Sequence, residues 1–463
     1  MLTSSHPFEF VLPQELVDKV VDEADFQSLK TLGLVSKQWC PRTRELLFKD
    51  INLSENLDHP LDPITRCKRL LELLETKSYL CKLPQTLFIR SSTYDDKEKD
   101  LGWLQVCSDD VIKILEMLQN VSAVGLLQGE MEMNFCHLPL PLRAALHSFI
   151  SRRKVIELHL LGVGSIEITP LFQHRSLRRL FLSFSHPPLA ELGAFFPLDV
   201  ARKRGLTTAS LSSREDSAPS KKFLQHLDVT GAGLALYLLV ATSQNPQATL
   251  DFTRIQRLRV GTTGFGNPMT RIWPYFLQTF CQNVSHYAVV LGPGRPMNPE
   301  DIQDRVPSLN PSIFSLTQLP SLKCLHVEVP QYFLRIPRLN LRPYLLEALW
   351  ALSSSHKPVP LRILEFGVDF DSLDPKSKPE DVTQTLTDLS KCQEFWGRLD
   401  EILSNRQVFS HLSTVGVHMG LHKRCTFTQS AEELDKLKKD IRSYMPNLVE
   451  QSKAKVVFHF PAQ

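Results

Sequence analysis

Five segments in the middle and C-terminal parts of the chain share the order Leu-x-x-Leu-x-apolar, with Ile replacing the first Leu in one of them. They lie at residues 177–182, 224–229, 255–260, 322–327 and 361–366. If such a segment forms a strand, its last two apolar positions point to the same face of a sheet. Each unit leaves that face uncovered until the next unit stacks on it, so such units occur in series. The pattern therefore predicts a solenoid.

Further strand-like runs and amphipathic stretches alternate along the chain. The additional strand-like runs lie at residues 86–89, 123–127, 155–161, 287–291, 412–417 and 456–460. Helical spacing of apolar residues occurs at 63–79, 109–118, 142–151, 342–352, 392–403 and 431–444. Strand followed by helix, many times over, predicts an α/β fold and excludes an all-α or all-β one.

These units resemble an irregular form of the leucine-rich repeat. The resemblance implies an α/β solenoid of strand-helix units over residues 54–463, although the spacing drifts and the Asn or Cys that usually follows the strand is mostly absent. The alternative is a general α/β domain whose buried strands happen to carry leucine. Two stretches rich in Ser, charge or Pro, residues 193–222 and 369–381, are expected to be surface insertions, the first of them mobile.

The N-terminal fifty residues carry an unusual surplus of large apolar side chains. Residues 12–16 read LPQEL, residues 34–39 read LVSKQW and residues 46–48 read LLF. Pro13 suits the first turn of a helix, where its missing N–H would be unpaired anyway. A helical unit this small covers only part of its apolar surface. An uncovered apolar surface usually marks a docking site for another protein.

This pattern resembles the F-box, the short helical module that joins a substrate-recognition protein to the Skp-type adaptor of a cullin-based ubiquitin ligase. The resemblance covers residues 8–53, as a three-helix unit, and implies that seven residues contact the adaptor or support the contacts: Leu12, Pro13, Leu16, Val20, Leu32, Val35 and Trp39. Phe26 and Leu29 fit either role. The alternative is an ordinary helical cap on the larger domain.

Composition limits the partners and the compartment. The formal net charge of +3 over 463 residues does not favour nucleic-acid binding, and the N-terminus lacks the pattern of a secretory signal. No apolar run is long enough to cross a bilayer, so no membrane partner is expected. The nine cysteines are scattered and odd in number, which is typical of a reduced protein in the cytoplasm or nucleus.

The sequence gives no convincing catalytic or metal-binding arrangement. The glycines of residues 261–266 follow a strand, but their order is not that of a dinucleotide loop, and Ser165 lacks the surroundings of a nucleophile elbow. His418, His422 and Cys425 could approach one zinc ion, yet a closed site needs a fourth ligand. We therefore expect no enzyme, no cofactor and no metal.

The sequence thus favours a non-catalytic substrate-recognition subunit of an SCF-type ligase, with the F-box on the adaptor and the solenoid on an unknown protein substrate. Two alternatives stay open: an F-box scaffold acting outside ubiquitination, and a hydrolase or transferase in an α/β domain. The layout is similar to large fungal families of F-box proteins. On the exposed face of the sheet, four residues are expected at equivalent places: Arg178, Gln225, Arg257 and Lys323.

Overall fold

The structure is a computed structural model of the chain. It describes residues 12–35, 37–54, 61–91, 102–128, 133–166, 174, 176–183, 223–230, 251–261, 273, 276–290, 315–330, 342–354, 357–369, 392–420, 431–451 and 454–459. The chain divides into two compact units, Met1–His159 (unit 1) and Leu160–Gln463 (unit 2). The predicted division at residues 8–53 and 54–463 stays a prediction. The predicted insertion at 193–222 and nearly all of the one at 369–381 lie outside the described residues.

Unit 1 begins with three short helices: α1 (Gln14–Asp22), α2 (Phe26–Val35) and α3 (Cys40–Lys49). Pro13 immediately precedes α1, as its sequence position predicts. The Asp25 carboxylate accepts a hydrogen bond of 2.8 Å from the Ser28 amide and so caps the start of α2. The three helices share a small core of Val17, Val21 and Leu29.

The rest of unit 1 alternates strands and helices. Its strands are β1 (Asp50–Ser54), β2 (Thr86–Ser91), β3 (Ala123–Gln128) and the two-residue β4 (Met133–Asn134), and β5 (Glu157–Leu161) spans the boundary with unit 2. Its further helices are α4 (Pro63–Thr76), α5 (Trp103–Val106), α6 (Ser108–Met117) and α7 (Leu140–Ile150). Strands β1, β2 and β3 pair in parallel, in chain order.

Unit 2 contains eight parallel strands, each paired with the next along the chain. They are β7 (Arg179–Ser183), β8 (His226–Thr230), β9 (Arg257–Gly261), β10 (His286–Val290), β11 (Cys324–Pro330), β12 (Ile363–Asp369), β13 (Thr414–Gly420) and β14 (Lys455–His459). Before them comes the short β6 (Val163–Gly164), and among them lie α8 (Arg342–Ser353), α9 (Gln393–Leu403) and α10 (Ala431–Ser443). The predicted fold class, an α/β arrangement of irregular leucine-rich-repeat type after N-terminal helices, is confirmed.

The Leu-x-x-Leu-x-apolar order acts as the sequence predicts. In β7, for example, Leu177, Leu180 and Leu182 are all fully buried, while Arg178 and Arg179 between the first two are exposed. Two parallel strands that follow each other in the chain need a connecting segment that crosses back over one face of the sheet. The buried leucines point toward that covered face. In all five of the repeated segments, the residue directly after the first buried Leu or Ile is polar and exposed.

One buried acid fixes the C-terminal part of unit 2. Asp400, on α9, is only 2% exposed. Its carboxylate accepts hydrogen bonds from the Asn447 amide (3.1 Å), the Asn447 side-chain nitrogen (2.9 Å) and the Leu448 amide (2.7 Å). These three donors open the π-helical turn Asn447–Gln451, so Asp400 joins α9 to the segment that leads into β14.

The described helices include none that is both long and apolar enough to cross a membrane. Eight of the nine cysteines lie in the described residues, and no disulfide joins any two of these eight.

Candidate protein-binding surfaces

The three N-terminal helices leave large apolar side chains in solvent. On α1, Val17 and Val21 are fully buried, whereas Leu16 and Val20 on another side of the helix are 50% and 49% exposed. At the end of α2, Leu34 is 87% and Val35 is 70% exposed. We refer to these four residues as the helical docking surface. Burying such side chains against a partner removes apolar area from water, which stabilises association.

The predicted adaptor-binding residues fall into two groups. Leu12, Pro13, Leu16, Val20 and Val35 are exposed, whereas Leu32 and Trp39 are half-buried. These two side chains pack against the core of Val17, Val21 and Leu29. Trp39 therefore fits a supporting role better than a contact role. Phe26 is exposed and Leu29 is buried, which separates the two residues that the sequence left undecided.

Leu34 is the exposed residue that the sequence prediction omitted. It forms an apolar pair with Val35, and this pair alone could have pointed to it. The backbone also draws Leu12 toward the segment after α2, because the Gln38 side-chain nitrogen donates a 2.6 Å hydrogen bond to the Leu12 carbonyl. Arg42 of α3 contacts Asp22 at the end of α1 at 2.8 Å, and this ion pair ties α3 to α1.

The strand face of unit 2 carries a line of alternating charges, here called the charge ladder. Arg259 of β9 lies 3.7 Å from Asp228 and 3.2 Å from Glu328. His326 Nε2 lies 3.7 Å from Glu328, and its Nδ1 lies 3.2 Å from Glu365.

The ladder continues onto β13 and β14. His418 Nε2 lies 3.3 Å from Glu365 Oε1 without hydrogen-bond geometry, and the His418 ring stacks on His459 at 4.3 Å between ring centroids. Each of the three acids Asp228, Glu328 and Glu365 therefore lies within 4 Å of an arginine or histidine side chain.

Two glycines, Gly416 and Gly367, leave space for the histidine side chains of the charge ladder. A Cβ atom at Gly416 would lie 3.0 Å from His418 Nε2 and 3.4 Å from Glu365 Cγ. A Cβ atom at Gly367 would lie 3.4 Å from the His326 ring. Such distances are at or below ordinary van der Waals contact, so a side chain at either position would crowd the imidazoles.

The two histidines of the ladder respond to their surroundings in opposite directions. Burial alone would lower the pKa of His326, but hydrogen bonds to Glu328 and Glu365 outweigh it and raise the pKa above 6.5. The pKa of Glu328 is lowered below 4.5, chiefly by its hydrogen bond to His326. Burial lowers the pKa of His418 below 6.5, and the positive charges of His459 and His326 add to this effect against the attraction of Glu365.

These shifts predict opposite pH effects for two variants. A raised pKa at His326 stabilises the fold below about pH 6.5, and this contribution is lost as the pH rises through the folded-state pKa. A lowered pKa at His418 stabilises the fold above about pH 6.5 and is lost as the pH falls. Acidification from about pH 8 to about pH 5.5 should thus destabilise His326→Gln more than wild type, and His418→Gln less.

Urea unfolding of the full chain at both pH values would measure this difference. A His411→Gln variant serves as control, because His411 is exposed and lies outside the ladder. Identical pH dependence in wild type and both ladder variants would contradict the assigned contacts.

The catalytic and metal candidates gain no support from the described residues. His418 belongs to the charge ladder, while His422 and Cys425 lie outside the described residues. Nowhere in the described ranges do three or more His, Cys, Asp or Glu residues form a group that could hold a metal ion. Ser165 lies just after β6 with a φ of 54°, in the left-handed region. Gly261 ends β9, and the rest of the 261–266 segment lies outside the described residues.

A small cavity in unit 1 has a volume of about 210 Å³. It is lined by Leu118, Gln119, Val121, Phe149, Arg152, Arg153 and Lys154. Arg152 donates a 2.8 Å hydrogen bond to the Leu118 carbonyl, and Lys154 contacts Asn120 at 2.7 Å. The cavity lining thus supplies cations and apolar carbon but no general base of the carboxylate or imidazole type.

Comparisons with known proteins add little to this geometry. No protein-family model matches the chain, and no curated protein matches it. Among solved structures, the crystal structure of an internalin (inlF) from Listeria monocytogenes str. 4b F2365 is similar over 89% of this chain and 97% of that chain. The sequence identity is 10% and the TM-score is 0.28. Agreement at this level supports no functional conclusion, so the fold rests on the strand order and register themselves.

Proposed function

We propose that this chain is a non-catalytic substrate receptor of a cullin-based ubiquitin ligase. The helical docking surface would bind a Skp-type adaptor, and the parallel sheet of unit 2 would hold a protein substrate. The observation that carries the proposal is the exposure of Leu16, Val20, Leu34 and Val35 on a three-helix unit whose described apolar core is small, with Val17, Val21 and Leu29 buried at its centre.

Some apolar residues of the three helices are exposed while others are packed in the core, and this difference supports a docking surface over a helical cap. In an ordinary helical cap, the apolar residues of the LPQEL and LVSKQW segments would be covered by the same chain. Here Leu12 and Val35 stay exposed while Trp39 packs on the core. An exposed apolar surface on so small a unit is energetically unfavourable unless a partner covers it.

The mechanism that follows is proximity. Binding substrate and adaptor to one chain raises the concentration of substrate lysines around a ubiquitin thioester that another subunit carries. The chain then needs docking residues and no acid, base or nucleophile of its own. This role would be carried out in the cytosol or nucleus, where cysteine thiols stay reduced.

The second candidate function is a scaffold that binds the adaptor outside ubiquitination. The exposed docking surface favours both, since both require the adaptor. A hydrolase or transferase is the less supported class, because it requires an enclosed pocket with convergent polar groups. The small cavity described in unit 1 is lined by no carboxylate or imidazole that could act as a general base.

The decisive experiment mixes the purified full chain with a purified Skp-type adaptor and then adds the cognate cullin. Size-exclusion chromatography should show the three proteins eluting together. Elution with the adaptor but without the cullin would support the scaffold. Failure to bind the adaptor at micromolar concentrations would refute both and leave the three helices as a cap.

A further inference from the structure

A row of cations marks the starts of the strands in unit 2. We call it the basic band: Arg178, Arg257, Lys323, Arg362 and Lys455. The five residues lie at or immediately before the first residue of β7, β9, β11, β12 and β14. All five are exposed, because they occupy the positions between the first buried residue of each unit and the buried residues of its strand.

Register places these cations along one edge. Arg257 stands at the first position of β9, where it pairs with His226 and His286. Lys455 stands at the first position of β14, where it pairs with Thr414. Lys323 and Arg362 stand one residue earlier, where the Lys323 carbonyl accepts a 2.7 Å hydrogen bond from the Arg362 amide. The sequence expectation that Arg257 is equivalent to Arg178, Gln225 and Lys323 is wrong by one position, since the pairing with His226 moves Arg257 one step further along.

No acidic residue occupies these positions in strands β7 to β14 of the described structure. Apart from the basic band, the two starting positions hold Arg179, Gln225, His226, Gln256, Ser285, His286, Cys324, Ile363, Ser413, Thr414 and Ala454. The acids on the face that carries Arg257, namely Asp228, Glu328 and Glu365, lie further along their strands in the charge ladder. They are already paired with Arg259, His326 and His418.

The positive charges of the basic band affect the pKa of a neighbouring residue, His286. The pKa of His286 is lowered by burial and then by the positive charges of Arg257 and Lys323, against a smaller opposite effect of Glu365. None of the five cations of the band forms an ion pair with a residue that the structure describes. Cations that lie one or two strands apart and have no counter-charge among the described residues repel each other, and a ligand that supplies carboxylates relieves that repulsion.

We propose that the basic band binds an acidic segment of a partner polypeptide, laid across the strand starts of unit 2. The inference deepens the protein-binding role proposed above for unit 2 and is independent of adaptor docking. Parallel strands lie about 4.8 Å apart, so the seven steps from β7 to β14 span roughly 34 Å. An extended peptide rises about 3.3 Å per residue, and about ten residues would cover the band.

A polypeptide fits the band better than a nucleic acid does. Single-stranded nucleic acids bind through aromatic side chains that stack on bases, together with cations. The described positions of the band contain no Phe, Tyr or Trp, and Phe181, two residues beyond Arg179, is already packed against His226 at 4.8 Å. The remaining polar neighbours are Gln, Ser, Thr and His, which can hydrogen-bond to a peptide backbone.

Fluorescence anisotropy with the purified full chain tests this inference. The probe is a labelled peptide of about twelve residues in which Asp and Glu alternate with Ser and Gly, at about 0.15 M salt. Wild type should bind it at least roughly tenfold more tightly than the same peptide with Asn and Gln in place of the acids. A triple variant, Arg257→Glu with Lys323→Glu and Arg362→Glu, should lose at least about tenfold in affinity.

A control variant with the same change in net charge tests whether the effect is specific to the basic band. Lys436→Glu, Lys439→Glu and Arg406→Glu change three exposed cations of unit 2 away from the strand starts. This control should stay within about twofold of wild type. An equal loss in both triple variants would show attraction by net charge alone and overturn the proposal.

Two further outcomes would also overturn it. One is equal binding of the acidic and neutral peptides, and the other is tighter binding of a single-stranded oligonucleotide of equal length. Circular dichroism of each variant confirms that it is folded. Adaptor binding should be the same in wild type and both triple variants, so a failure of the band and a failure of the helical docking surface are told apart.

Discussion

A double variant of the helical docking surface, Leu16→Asp with Val35→Asp, is expected to lose at least about a hundredfold in affinity for a Skp-type adaptor. Both side chains are half or more exposed in the chain alone, at 50% and 70%. Each new carboxylate would be buried without a partner in the complex, which costs several kcal/mol in total. In the free chain the same carboxylates remain in water, so the melting temperature should change by no more than about 2 °C.

Calorimetric titration with purified adaptor and thermal melting of each variant provide the two measurements. The matched control is Gln27→Asp with Thr31→Asp, which adds the same charge to exposed polar positions of α2. It should keep its affinity within about threefold. If the double variant unfolds, or if it binds as tightly as the control, the exposed apolar residues do not form the docking surface.

Asp400→Ala is expected to lower the free energy of unfolding by about 3–5 kcal/mol. The wild-type carboxylate is 2% exposed and accepts three hydrogen bonds, two of them from the backbone amides of Asn447 and Leu448. Removing it takes away the shared acceptor of these three hydrogen bonds, one of which is fully buried, and opens a space between α9 and the π-helical turn. The loss should therefore exceed that of an ordinary surface substitution several-fold.

Chemical denaturation of the full chain would measure this loss. Glu401→Ala changes the exposed neighbouring acid and should cost less than about 0.5 kcal/mol. Asp400→Asn retains one acceptor oxygen and should fall between the two. Equal stability of the Asp400→Ala and Glu401→Ala variants would show that the three hydrogen bonds contribute nothing to unfolding.

The strands were predictable because their signal is local. Two leucines two residues apart, as Leu180 and Leu182 are, define the buried face of a strand without reference to anything else in the chain. The same holds for the first helix, in which Val17 and Val21 recur at helical spacing. Leu16 and Val20 recur equally well, however, and only the packed structure shows that the first pair forms the core and the second stays exposed.

The charge ladder was not predicted, because its ion pairs join side chains on strands that are far apart along the chain. Arg259 and Glu328 meet across 69 residues, and His326 and Glu365 across 39. Aligning the repeated segments does give the strand register, since Leu180 pairs with Leu227 and Leu325 pairs with Leu364, but it does not give which side chains on different strands form ion pairs. The one-position displacement of Arg257 has a different origin, because Arg257 is the third residue of its repeated segment, whereas Arg178, Gln225 and Lys323 are each the second. The buried position and hydrogen bonds of Asp400 could not be predicted either, because its partners Asn447 and Leu448 belong to a turn with no sequence signature of its own.

Strand pairing in unit 2 does not depend on the length of what lies between the strands. Arg257 pairs with His286, and Ile363 pairs with Thr414, although the second pair is much further apart along the chain. Lengthening a connection adds only slowly to the entropy lost on closing it. Insertions and deletions during evolution can therefore accumulate in the connections, while the order of side chains read across the sheet is inherited unchanged.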